Sequence, residues 1–161
     1  MNIRLRKDFI LYFLILVPVM LISSKTFAAG VSVEHAYARA VPQGQPNSAA
    51  FMALTNTTGH DRALVDARSN VSKAVELHTH TMEGGMMRMR RVKQIDIKAG
   101  STTELKPGGF HVMFIGLKQA LNVGDKVYLE LVFDDGEVTK LSIPVKMVAG
   151  MHKPMKMNHS M

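Results

Sequence analysis

From Val31 onward the chain is interrupted at short intervals by turn-forming residues. These are Pro42, Gly44 and Pro46, then Asn56-Thr57-Thr58-Gly59, Gly84-Gly85, Pro107-Gly108-Gly109 and Asp134-Asp135-Gly136. Glycine supplies positive φ and proline fixes φ, so each cluster marks a place where the chain reverses. The segments between them show no long helical period and no internal repeat. Several alternate apolar with polar residues, the period of a half-buried strand. Short strands at this spacing predict an all-β sandwich or barrel.

The strands can be placed. Val31, Val33 and Tyr37 mark a first one, Val41 to Asn47 is a loop, and Ser48 to Thr55 is a second strand. Ala63 to Ser69 and Val71 to Thr81 follow, and Met86 to Val92 returns. Ser101 to Leu105 and Phe110 to Phe114 come next, and Lys126 to Phe133 with Glu137 to Val145 form a hairpin around the Asp-Gly turn. In the fourth of these, Val75 and Leu77 point one way, while Glu76, His78 and His80 point the other. With Met82-Glu83-Gly84-Gly85 as a four-residue loop, Thr81 pairs with Met86 and His78 lies opposite Met89. His111 and Met113 share a face, with Val112 and Phe114 toward the core.

The two ends differ from this body. Residues 1–28 read as a secretory signal peptide: Arg4, Arg6 and Lys7 precede an apolar run of 14 residues, Phe9 to Ile22, and small residues lead to a cut after Ala28. The run is short for a membrane span, which needs about 20 residues, and Pro18 interrupts it. Removal takes four cations and one acid, so the formal charge falls from +7 to +4. Residues 29–148 form the domain, and residues 149–161 read as a disordered tail with four Met and two His in its last eleven residues. An exported protein in a periplasmic, oxidising compartment is expected, yet the chain has no cysteine and must rely on its core. Arg88, Arg90, Arg91 and Lys93 read as one solvated strand face. They lack the interleaved aromatics that stack on nucleic-acid bases, so no nucleic-acid partner is expected.

Methionine and histidine are unevenly spread. Of the twenty, eight lie between His78 and Met113, and five of the thirteen methionines fall at or after Met147. Single residues such as His35, His60, Met52 and Met147 read as packing or surface residues. The cluster is different. Thioethers select Cu(I), whereas imidazole also accepts Cu(II) or Zn, so the stretch reads as a copper site. A blue-copper electron-transfer centre needs a Cys thiolate and is excluded. No Cys nucleophile and no evident Ser-His-Asp grouping suggests a hydrolase, and an enzyme is not expected.

His78 and Met89 are separated by ten residues, Met89 and His111 by twenty-one, and His111 and Met113 by one. This spacing resembles the periplasmic copper chaperone family PCu(A)C. The flanks match as well: Val75-Glu76-Leu77-His78, Gly85-Met86-Met87-Arg88-Met89-Arg90, and Leu105 through Met113. The resemblance covers about Val31 to Val148. It implies a cupredoxin-like, immunoglobulin-like Greek-key β-sandwich, and one Cu(I) held by His78, Met89, His111 and Met113 near the surface. It also implies delivery to the Cu(A) subunit of cytochrome c oxidase, with a Sco-type thioredoxin-like protein as partner. His80 and Met82 are additional to the pattern and are candidate auxiliary ligands. The tail resembles the Met/His-rich extension of some members. Met151, His152, Met155, Met157, His159 and Met161 would form a second, weaker site able to take Cu(II). A monomer is expected. The competing readings are a protein that only sequesters copper, and an immunoglobulin-like structural module with incidental Met and His.

Overall fold

The computed structural model describes residues 30–148. The signal-peptide and tail assignments fall outside them. Among the described residues there are ten strands and no helix: β1 Val31–Arg39, β2 Asn47–Asn56, β3 Arg62–Ser69, β4 Ser72–Glu83, β5 Met86–Arg91, β6 Ile95–Ile97, β7 Thr102–Leu105, β8 His111–Leu117, β9 Lys126–Phe133 and β10 Val138–Lys146. The expected all-β, cupredoxin-like sandwich is therefore what forms. Nine of these strands lie where the turn spacing predicts them, and β6 is an addition. Ile95-Asp96-Ile97 is too short to show a period, and its pairing with β3 is decided by burial of both isoleucines.

The strand order is β5-β4-β8-β2-β1-β10-β9-β3-β6, with β7 also on β2. One layer is β5-β4-β8-β2-β1 and the other β10-β9-β3-β6; a short parallel pairing of β1 with β10, Ala38 to Val145 and Arg39 to Lys146, joins them. Along β2 the partner changes: Asn47–Ala50 pair with β8, and Met52–Thr55 pair with β7. The turn Lys106–Gly109 makes that exchange and launches β8 at His111. Strand β1 bulges between Glu34 and Tyr37, where His35 takes a positive φ of 54°.

The core lies between the layers. Leu54, Leu64, Leu77, Ile95, Ile97, Val112, Phe114, Leu129, Leu131 and Phe133 are buried there. Alternation decides which side chains enter: Leu77, Val112 and Phe114 go in, and His78, His111 and Met113 go to the other face of the same sheet. Two buried polar residues are each held by several partners. The Asn56 Nδ2 group donates to the carbonyls of His60 at 2.8 Å and Ile97 at 3.0 Å, while its Oδ1 accepts from the Thr58 amide and hydroxyl. Arg62 donates to Asp134 at 3.0 Å and also meets Asp135 and Glu137, fastening β3 to the β9–β10 turn. Its guanidinium is held above its already high ordinary pKa by these carboxylates, against the opposing effect of burial.

Phe114 has no exposed surface and sits beneath the site-bearing part of β8. Phe114→Ala is expected to cost about 3 to 5 kcal/mol through lost burial and a residual cavity. Denaturant unfolding, followed by the change in midpoint at constant slope, checks this.

Candidate metal centre

The site is assembled by three neighbouring strands on one sheet face. In β4, Glu76, His78 and His80 alternate with Val75, Leu77 and Thr79, the first two of which pack in the core. Strand β8 runs antiparallel to β4 and sets His78 directly opposite His111 and Glu76 opposite Met113. On the other flank, β5 sets Met89 opposite His80 and Arg91 opposite His78. The expected opposition of His78 and Met89 is thus corrected. The hairpin loop has two residues, not four: Gly84 and Gly85 have φ of 58° and 78°, and Glu83 pairs with Met86. Two consecutive positive φ values define the tight turn whose twist suits a hairpin. The register moves by two residues, so Met89 keeps its face while changing its neighbour.

The imidazoles converge. The His111 ring lies 5.9 Å from that of His78 and 5.1 Å from that of His80, centre to centre. Phe51 stands 6.3 Å from His111 on its other side, and Tyr37 stands 5.4 Å beyond Phe51, forming an aromatic wall. His111 is 2% exposed, so it is the floor of the site rather than a surface group. Met113 is half-buried beside it, flanked by Glu76 and the small Ala49. Met89 is 44% exposed on the edge strand, and Met82, Met86 and Met87 near the hairpin tip are more open. Met82 pairs with Met87, nearer the hairpin turn than the His80–Met89 pair.

The ring nitrogens are oriented. At His111, Nδ1 lies 3.0 Å from the Gly109 carbonyl. A carbonyl only accepts, so Nδ1 carries the proton and Nε2 presents a lone pair; that buried Nε2 has no partner. At His78, Nε2 lies 2.8 Å from the Glu76 carboxylate, which leaves a buried Nδ1 without a partner. The buried His80 Nδ1 is also unpartnered. Unsatisfied buried polar atoms are uncommon in native proteins, and here three ring nitrogens lie together. A carboxylate or carbonyl behind an imidazole is the arrangement that fixes a metal-binding tautomer. Burial keeps the His111 imidazole below its ordinary pKa against the Gly109 contact, with His80, His78 and Arg39 adding in the same direction as burial. The ring therefore stays neutral and available as a donor near neutral pH.

Among the described residues no group of three or more His, Cys, Asp or Glu side chains is arranged to hold a metal ion. The donor set is a mixed one of imidazole and thioether. Glu76, the Gly109 carbonyl, Phe51 and Arg39 were not singled out as site residues from sequence. Glu76 could have been, since it lies two positions before His78 on the same strand face. The basic residues do not form one face. Arg88 and Arg90 alternate with Met87, Met89 and Arg91, and both pair with Glu83, whereas Arg91 pairs with Glu76 at 3.3 Å.

A family model described as "Putative lipoprotein LpqE-like" matches residues 31–145. A relative from Leifsonia xyli subsp. xyli, described as a "Putative lipoprotein", is 35% identical over 130 residues, covering 80% of this chain and 77% of its own. The solution structure of CuI-DR1885 from Deinococcus radiodurans superposes with a TM-score of 0.61 at 35% identity, covering 76% of this chain and 83% of that one. The copper-bound PCuAC domain from PmoF2 superposes with a TM-score of 0.62 over 73% of this chain and 93% of that one, at 21% identity, which speaks for the fold alone. The chain belongs to the LpqE-like family, and its β-sandwich is the one found in PCuAC domains.

Proposed function

We propose that this protein is a copper chaperone of the cell envelope that binds Cu(I) through His78, Met89, His111 and Met113 and hands it to an acceptor. The observation that carries the reading is the group of buried, unpartnered imidazole nitrogens beside half-buried and exposed thioethers on one sheet face, in a chain without cysteine. The Deinococcus protein, whose solved form carries Cu(I) by its description, is 35% identical and supports it. Two imidazoles and two thioethers suit the reduced, soft ion. Met89 on the edge strand is the donor that a partner reaches first, and His111 at the floor is the last to let go. That gradient of exposure suits transfer better than reaction, so we assign no enzymatic activity.

The acceptor we favour is the Cu(A) subunit of cytochrome c oxidase, with a Sco-type thioredoxin-like protein taking part. Export through a cleaved signal peptide to the periplasm agrees with the lipoprotein description of the relatives. These 161 residues contain no cysteine thiol to which a lipid could be attached. The tail donors Met151, His152, Met155, Met157, His159 and Met161 provide a second, weaker copper site. Ordering any segment round an ion costs about 1 kcal/mol or more per residue fixed.

Met89→Leu and Met113→Leu are each expected to lower Cu(I) affinity by about tenfold or more, with a smaller effect on Zn, because leucine keeps the volume and removes the soft donor. Competition with a Cu(I) chelator measures this, and X-ray absorption on Cu(I)-loaded protein should show sulfur scatterers that weaken in both variants. Sulfur scattering unchanged in both would defeat the assignment. Copper passing to a purified Cu(A) domain separates carriage from mere storage.

Acid should weaken the site. The ordinary imidazole pKa is 6.5, and the folded chain holds His111 below it. Between the two values the unfolded chain binds a proton that the folded chain does not, so stability rises with pH through that window and falls on acidification. Thermal unfolding of the metal-free protein from about pH 7 down to about pH 5 should show a falling midpoint, with a shallower slope in His111→Leu.

A further inference from the structure

Three imidazoles, not two, surround the floor of the site. We propose that His80 is a third copper ligand, and that His78, His80 and His111 together hold Cu(II) on the same face where the thioethers hold Cu(I). The inference rests on reading this face as a copper site.

The spacing carries the argument. Two imidazoles bound to one ion, each at about 2 Å from ring nitrogen to metal, have ring centres about 5 to 6 Å apart. His78 and His80 stand 5.9 and 5.1 Å from His111, so His80 is the nearer of the two. Each of the three rings keeps a buried nitrogen without a partner. In His78 and His111 the opposite nitrogen is already tied, to Glu76 and to the Gly109 carbonyl, so both free lone pairs are pre-oriented. His80 also lies inside the perimeter of the donor set, because the observed register places Met89 against it.

Chemistry separates the two loadings. Thioethers favour Cu(I), whereas Cu(II) prefers nitrogen and oxygen donors in a tetragonal field. Three imidazoles supply most of such a field without either methionine. Met89, 44% exposed on an edge strand, can turn toward solvent when it is not needed. The nitrogens do not yet converge as a closed cage; His78 and His111 keep their tethers, and the His80 ring, with its unpartnered Nδ1, turns about its side-chain torsions to complete the set. Each oxidation state is taken up as it comes, with no electron transfer on the protein. Cu(II) capture is then a property of the sandwich and does not depend on the tail.

The test uses the full chain with both tail imidazoles removed, H152A/H159A, loaded with one equivalent of Cu(II). Pulsed electron paramagnetic resonance should count three imidazoles on the ion. Adding H80A, or H80Q as a milder change, should reduce the count to two and weaken Cu(II) by about tenfold or more, a larger loss than the same variants show for Cu(I). An unchanged imidazole count and Cu(II) affinity in both His80 variants would overturn the proposal, as would loss of all bound Cu(II) in H152A/H159A. Cu(I) binding with sulfur scatterers, measured on the same proteins, isolates the outcome. If it is intact while the Cu(II) result fails, only the role of His80 falls; if it is absent, the copper-chaperone reading falls too.

Discussion

The antiparallel pairing of β4 with β8 is the constraint on which the site depends. It sets His78 against His111 and Glu76 against Met113, while the pleat turns Leu77, Val112 and Phe114 into the core. The same alternation thus serves stability on one face and the proposed metal site on the other. Because the core residues fix the register, the donors inherit a position that no flexible loop could give them. A slip of one residue would bury the imidazoles in the sandwich and expose the core side chains.

The surroundings of the imidazoles do the remaining work. The His78 ring is tethered by a carboxylate from its own strand face, and the His111 ring by a carbonyl from the turn that launches β8. Each tether sets a tautomer before any ion arrives, which removes part of the ordering cost of binding. Burial of His111 against Phe51 keeps it uncharged and gives the site a rigid floor. The thioethers are placed along a gradient from the half-buried Met113 to the exposed Met89. The proposed carriage of copper needs both properties, a rigid floor to hold the ion and an open rim to release it.

The edge strand β5 carries a second compromise. All six of its residues are exposed, and an open edge invites pairing with another chain. Arg88, Arg90 and Arg91 sit there with Glu83 and Glu76 as partners. Charge at the edge discourages intermolecular strand addition while leaving the methionines accessible.

The fold class and nine of the ten strands were legible in the sequence, because period-two alternation and Gly/Pro turns are local signals. Face assignment was legible for the same reason: His78 with His80 and His111 with Met113 each follow from spacing alone. Which donor meets which was not. A shift of two residues in the β4–β5 hairpin leaves every side chain on its face, so hydrophobic pattern cannot distinguish His78 against Met89 from His80 against Met89. The Gly84-Gly85 pair held the needed signal, since two adjacent glycines favour a two-residue turn. Other features belong to tertiary structure only. The parallel joining of β1 to β10, the addition of β6 to β3, and the burial of His111 beneath its neighbours each bring together residues far apart in the chain. Local sequence specified the faces and the chemistry on them; long-range packing of two sheets decided the distances.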